Sequence, residues 1–569
     1  MTMGLRDRGG THLGGFKSGR VFYSCSSHGR KLLGASHPQV SGVVASVERL
    51  EREREVVRKL VDGKPKEKVE NCTGIALVKT YGGRDERSSE LEEALIERRP
   101  SEFLQDFTDF DQHDRIFQEF DPPESHEADP KAWRQSLPPF KTSLKECLKS
   151  VLLIQTVAGS IIGLLVVCIV ILDFTFAEWC FNMDKQWDKM PRKVQSLRVT
   201  APALEGALIE MWDFTCIVTV FPLSLIKDLH LLTLNTLAAF IDMTYRLYLQ
   251  MVGAYNAPWM SFPLNALLCM VILVNNYVLA GHFYPLSLKN TMKLDFILSA
   301  QFILGLPAAL MLVYGLFPWY IKQEQHIKVV IASASPLVTA IPKVVSRLGA
   351  QHLQGIIHPG TAHVLVAALY AASAVVFRVM QSELSSFTFF VALGIAHAAI
   401  DLVERVTITM RDHIWEYLYR IIGRQRQSTP KYRSLRSRRF IADVTIQIML
   451  QEATALISSL GFMTVYQALY SREKPFIDSE IIGEFFKRAT VGLFIDLLFN
   501  TISLLIQTRV MNIAVIRVWK RKWHCHIVIN TLLVSISVIY FSEYLLQIVQ
   551  DKYGTRFRQG DNCTYPSFL

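Results

Sequence analysis

The chain has 569 residues, half of them apolar, and a formal net charge of +10 at pH 7. A soluble protein of that length would fold as several domains with polar surfaces, yet the mean hydropathy is +0.22 and the apolar residues gather in long runs after residue 150. That excludes an ordinary soluble protein, and because the basic residues fall between the runs, the charge reads as a topology signal and not as a nucleic-acid surface.

Residues 1–45 are rich in Arg, Lys, Ser and Gly, with Asp7 the one acid, and lack an apolar core of signal-peptide length. The composition is compatible with an organellar transit peptide, although basic unstructured N-termini are commoner. Val43, Val47, Leu50, Val57 and Val61 form a heptad-like stripe that predicts a short helix over 43–61, closed by Asp62-Gly63 and Pro65. Residues 102–129 carry ten acids against one Arg, punctuated by Phe103, Phe107, Phe110, Phe117 and Phe120. Such a segment either solvates a linker or docks on a basic surface.

Apolar runs long enough to cross hydrocarbon, roughly 17–25 residues, cover 150–172, 259–281, 295–321, 361–380, 385–403, 444–467, 489–508 and 527–549. The region 203–252 holds two apolar stretches separated by Lys227 and Asp228; one tilted span plus an interfacial piece is the expectation, a helical hairpin the alternative. Loops 405–439, with ten basic residues and two acids, and 509–526, with five and none, belong on the cytoplasmic side. The balanced loop 471–488 then lies outside. Lys141, Lys145 and Lys149 before the first span, with Asp173, Glu178 and Asp184 after it, place the N-terminal region inside. An odd number of spans follows, and nine satisfies it. The organisation expected is a cytoplasmic region 1–149, mostly disordered, a transmembrane helical domain 150–549 and a non-cytoplasmic tail 550–569. On that side Asn562 of Asn562-Cys563-Thr564 is a glycosylation candidate.

Polar residues inside the spans are the functional signal. Glu452, beside Gln451, lies roughly 12 Å into its helix from a boundary near 444. An ionised carboxylate at such depth costs at least about 2.5 kcal/mol. On the same helix Gln447, Gln451, Thr454 and Ser458 share one face, as do Asp496, Asn500, Ser503 and Gln507 on 489–508; His397, Asp401 and Glu404 line 385–403. Three stripes of this kind should face one another and not lipid. They make either a hydrated path for an ion or small polar solute, with Glu452, Asp496 and Asp401 carrying charge or protons, or interhelical glue at roughly 0.6 kcal/mol per contact. The acids favour the path; the amides and hydroxyls favour glue. Gly159 and Gly163 form a GxxxG spacing that suits internal packing.

Between spans, 411–423 reads as an amphipathic helix lying in the inner interface, followed by a basic tract on which the acidic 102–129 segment would dock as an autoinhibitory arm. Arg433, Arg436, Arg438 and Arg439, with Lys520, Arg521 and Lys522 in the next cytoplasmic loop, are candidates for contact with anionic lipids. Nine cysteines show no CxxC pair, and adjacent His524, Cys525 and His526 cannot easily converge on one ion. No nucleotide, zinc-protease or serine-hydrolase motif is present. His397 and Asp401 as base and orienter would be the slender basis for an enzyme acting within the bilayer.

The expectation is an all-α polytopic membrane protein of about nine spans, in the plasma membrane or an endomembrane. Its function would be transport or conduction of an ion or small polar solute, or, as the alternative, that of a non-transporting scaffold or receptor-like subunit binding partners through its cytoplasmic arm and basic loops. The lipid bilayer is the expected partner, and neither cofactor, metal nor nucleic acid is.

Overall fold

A computed structural model describes residues 117–121, 132–169, 192–252, 261–353, 356–423, 435–470 and 479–553. These residues are helical almost throughout and hold no strand. The helix at 43–61 and Asn562 lie outside them, as do most of 102–129 and Arg433.

Eleven long helical rods make the bundle. They are α1 (Phe140–Ile169), α2 (Arg192–Val220), α3 (Leu231–Val252), α4 (Ser261–Phe283), α5 (Leu288–Ile321), α6 (Gln325–His352), α7 (Val364–Glu383), α8 (Phe387–Gly423), α9 (Leu435–Tyr470), α10 (Ser479–Arg509) and α11 (Val515–Tyr553). All but α2 and α3 contain a stretch long and apolar enough to cross a membrane, nine among the described residues. The chain is a multi-pass membrane protein by that measure. Its outward face agrees: Leu153, Ile161, Leu237, Phe240, Met270 and Phe494 are exposed, the reverse of a soluble surface.

The count matches expectation, but its membership does not. α6 was not foreseen as a span, because Lys328, Lys343, Arg347, Pro336 and Pro342 dilute its apolar pattern. The region 203–252 is a pair of packed helices, α2 and α3, joined through a short helix Leu223–Asp228 and a left-handed turn at His230 (φ 55°). The interfacial helix expected at 411–423 is instead the continuation of α8.

Local breaks shape the rods. α1 passes through a π-helical turn at Val157–Gly163. α5 is interrupted at Leu304, then carries Pro307 and a second π turn, Met311–Leu316. Its break borders an apolar cavity of about 280 Å³ lined by Trp212, Phe302, Leu369 and Tyr540.

α7 and α9 form the centre. The apolar window of α9 is buried along its whole length and 94% of that of α7 is buried, so their polar side chains must find partners on neighbouring helices. α7 packs on α9, α11 and α6; α8 packs on α10. Gly159 and Gly163 face Ile457 of α9, so their spacing serves packing within the chain. Side-chain contacts group the helix termini into two ends. At the first, Arg436 reaches the carbonyls of Leu353 and Ile357, the rings of His363 and His526 lie 5.0 Å apart, and Arg509 donates to the carbonyl of Pro138 at 2.7 Å. At the second, Arg488 donates to the carbonyls of Leu384 (2.8 Å) and Ser385 (3.0 Å), and Lys328 pairs with Glu383 at 3.0 Å.

Candidate functional site

The polar residues of the C-terminal half meet around a side chain that the sequence reading passed over. Arg378, on α7 and 1% exposed, donates from Nε to Oε2 of Glu452 (3.0 Å) and from NH2 to both oxygens of Asp496 (3.0 and 2.8 Å). Its NH1 donates to Oε1 of Gln381 at 2.9 Å. A lone Arg inside an apolar run was the available signal: a guanidinium in hydrocarbon needs acidic partners, and the nearest helices supply them.

His397 extends the group. Its Nε2 lies 3.3 Å from Oε1 of Glu452 and 3.6 Å from Oδ2 of Asp401, while its ring stacks on Phe377 at 3.6 Å between centroids. The stacking fixes the imidazole so that one nitrogen addresses both acids. Donor atoms of His397, Asp401 and Glu452 lie within 4.8 Å of one another, a spacing that could hold a cation, and Arg378 already occupies the other oxygen of Glu452. Arg405 donates to Oδ1 of Asn500 (2.5 Å) and to the backbone carbonyl of Asp401 (3.3 Å). Thus Glu452, Asp496, Asn500, His397 and Asp401 belong to one connected cluster built by α7, α8, α9 and α10.

Gln451 does something different. It donates to the carbonyl of Ala367 at 3.0 Å, joining α9 to α7. Gln447 donates to the carbonyl of His526 on α11, and Thr454 accepts from Asn530 at 2.9 Å. The α9 amides and hydroxyls bind three different neighbours, since Thr454 also donates to the carbonyl of Ala158 on α1.

The charged cluster continues towards both ends. On the second-end side, Glu383 accepts from Lys328 and, at 3.0 Å, from the hydroxyl of Tyr320. On the first-end side, Lys343 donates to Ser373 (2.9 Å), and Arg347, fully buried, donates to Asp412 (2.8 and 2.5 Å) and to the hydroxyl of Tyr370 (3.3 Å). Glu404 pairs with Arg411 at 3.3 Å and with Arg347 at 4.0 Å. Acids and bases balance along this column: Glu383, Glu452, Asp496, Asp401, Glu404 and Asp412 against Lys328, Arg378, Lys343, Arg347, Arg405 and Arg411. It follows α7, whose 20 residues rise about 30 Å, the thickness of a hydrocarbon core. Beside it, Lys343, Ser373, His397, Asp401, Glu404, Gln451 and Glu452 line a cavity of about 30 Å³, room for about one water.

No known protein family, curated protein or solved structure matches this chain.

The basic residues at the first end divide into two groups. Arg439, 3% exposed, is held by Asp443 at 2.9 Å, whose other oxygen meets Nε2 of His526 at 3.1 Å. That corrects its assignment as a lipid contact: its charge is spent inside the bundle. Arg436 is committed to the Leu353 and Ile357 carbonyls, and Arg438 and Lys522 are half-buried. Lys520 and Arg521 are exposed. His526 is buried while His524 and Cys525 are exposed, so the three adjacent side chains diverge.

The described part of the acidic segment, residues 117–121, lies on 512–517; the rest of that segment and residues 424–434 of the basic tract lie outside the described residues. Asn512, held at φ 52°, donates to Gln118 (3.0 Å) and to the carbonyl of Phe120 (3.1 Å) and accepts from the Phe120 N–H (2.8 Å). Arg517 forms a two-point pair with Asp121 (3.1 and 2.9 Å), and its N–H donates to Glu119 at 3.2 Å. Phe120 stacks on Trp133.

Proposed function

We propose that this protein is a membrane carrier for an ion or small polar solute, and that the ionic column along α7 is its path, with Arg378, Glu452, Asp496, Asp401 and His397 as the charges that exchange partners. The observation that carries the reading is the row of buried ion pairs spaced along α7, Lys328–Glu383, Arg378 with Glu452 and Asp496, and Arg347–Asp412. Packing alone gives little reason for it: well-packed apolar residues replace buried ion pairs at no cost or a gain of about 1–4 kcal/mol, and amide or hydroxyl contacts glue helices at about 0.6 kcal/mol each. A cavity of about 30 Å³ is too small for an open pore, so passage requires rearrangement, as in a carrier with an occluded centre. The first end, rich in Arg and Lys, is the cytoplasmic one on this reading, and Lys520 and Arg521 would meet anionic headgroups there.

The test is flux in proteoliposomes. Proton, sodium, potassium, chloride and phosphate movement are measured for the wild type, Glu452→Gln, Asp496→Asn and, as a control outside the column, Gln447→Leu. The expected result is flux of one of these ions in the wild type and the control and its loss in the two acid variants. Equal flux in all four removes the acids from the path; absence of flux from every one leaves the network as packing within a non-transporting membrane subunit.

A further inference from the structure

The N-terminal half buries a second polar cluster, in which the acids outnumber the bases among the described residues. One face of α2 presents Gly206, Glu210 and Asp213; one face of α3 presents Asn235, Asp242 and Arg246. Asp213 accepts from Asn275 (3.2 Å) and Asn276 (3.4 Å) of α4, and Asn235 and Asn275 exchange hydrogen bonds at 2.9 and 3.0 Å. Arg246 donates to Asp242 at 2.6 Å and lies 3.6 Å from Glu205. Glu210 is 0% exposed, and neither of its carboxyl oxygens has a hydrogen-bond donor among the described residues; Oδ2 of Asp242, 1% exposed, has none among them either.

Asp242 packs against α2 at Gly206, one turn before Glu210 on the same face, with Arg246 beside it. The close approach depends on Gly206: a Cβ there would overlap Oδ1 of Asp242. The other titratable groups around Glu210 are Glu205 and Asp213 on α2, Cys269 on α4, Asp295 of α5 beyond Asp213, and Tyr540 of α11 near Cys269. Arg246 is held by Asp242 and gives neither carboxyl oxygen of Glu210 a hydrogen bond. An ionised carboxylate with no donor is costly in such a place, and protonation relieves that cost. A metal ion is a poorer fit, since His, Cys or acid ligands converge in a set of three only at His397, Asp401 and Glu452 among the described residues.

We propose that Glu210 is a proton-binding site between α2 and α3, its buried carboxyl held neutral beside the Asp242–Arg246 ion pair. On the carrier reading, on which this part rests, the proton is the coupling ion, bound apart from the Arg378 column and released when α2 and α3 separate.

The test is infrared spectroscopy of the full chain in lipid nanodiscs, independent of any flux. The wild type minus Glu210→Gln difference at neutral pH should show a protonated-carboxyl C=O band that shifts in deuterium oxide and disappears at alkaline pH. Gly206→Ala, which displaces Asp242, should shift or abolish it, and Asp496→Asn should leave it unchanged. As a second readout, the thermal unfolding midpoint of the wild type should fall as pH is raised, whereas that of Glu210→Gln stays level. A difference spectrum with ionised-carboxylate bands alone, a band replaced by sodium-dependent stabilisation, or equal pH dependence in both proteins would overturn the proposal. A band without flux would sink the carrier reading and leave the proton site; flux without the band would do the opposite.

Discussion

Arg378 and Asp496, 118 residues apart in the chain, are joined at two points, NH2 of the guanidinium lying 3.0 and 2.8 Å from the two carboxylate oxygens. Both side chains are buried, so neither charge has water to fall back on. Removing one partner strands the other, at about 3–5 kcal/mol. Arg378→Ala is therefore expected to lower the unfolding midpoint in detergent more than any single amide variant on α9. Arg378→Met combined with Glu452→Gln and Asp496→Asn should recover most of that loss by removing every stranded charge. A triple variant no more stable than Arg378→Ala would show that the guanidinium acts by packing and not by charge.

The two ends of the bundle give a second prediction. Termini grouped by side-chain contact fall on alternate sides in chain order: 353–363 and 510–514 at the first end, 384–386 and 322–324 at the second. Single cysteines at Gln323 and Ser385, in a background without exposed native cysteines, should react with an impermeant thiol reagent from one face of sealed vesicles. A cysteine at Met511 should react from the opposite face. Labelling of all three from one face would break the sidedness assigned above.

Glu119 makes the docked acidic segment sensitive to pH. It is 8% exposed, and burial raises its carboxyl above the usual value of 4.5 against the opposing Arg517 N–H and charge. Undocked, the group keeps the lower value, so docking takes up a proton in the window between the two. Docking is strongest below pH 4.5 and weakens as pH rises through the docked value. Hydrogen exchange at 117–121, corrected for the intrinsic rate, should therefore accelerate with pH across that window. Glu119→Gln should abolish the dependence. Asn512→Ala should raise exchange at every pH, since it loses three hydrogen bonds and puts Ala in a left-handed conformation that costs about 1–2 kcal/mol.

The contact of α1 with α9 rests on small residues on both sides. A Cβ on Gly163 would come 2.8 Å from Cβ of Ile457, and Gly461 faces Val167 in the same way. These neighbours are branched at Cβ and have little freedom to move aside. Gly163→Ala should cost about 1–3 kcal/mol through overpacking. Ile457→Ala in the same chain should restore much of it, and an unchanged midpoint in Gly163→Ala would show that the helices separate easily there.

Several features were legible without coordinates. Crossing length is a local property, so a run of apolar residues announces a span wherever it packs; the stripes of Asp496 and Asn500 and of His397 and Asp401 announced inward faces for the same reason. α6 escaped because its interior charges, Lys343 and Arg347, resemble loop residues until Ser373 and Asp412 are seen to receive them. The division of labour on α9 was equally hidden: Gln451 beside Glu452 looked like part of one site, but helical geometry turns them to different neighbours.

The sequence by itself determined a helical membrane protein and the presence of buried acids, because length, composition and periodicity act within a single helix. Only the tertiary structure decided that Arg378 gathers those acids from helices 74 and 118 residues away in the chain, that Glu210 is buried without a hydrogen-bond donor among the described residues, and that residues 117–121 rest on Asn512 and Arg517. Those outcomes depend on which helix faces lie together, and buried charges can be matched only by groups the packing brings within reach.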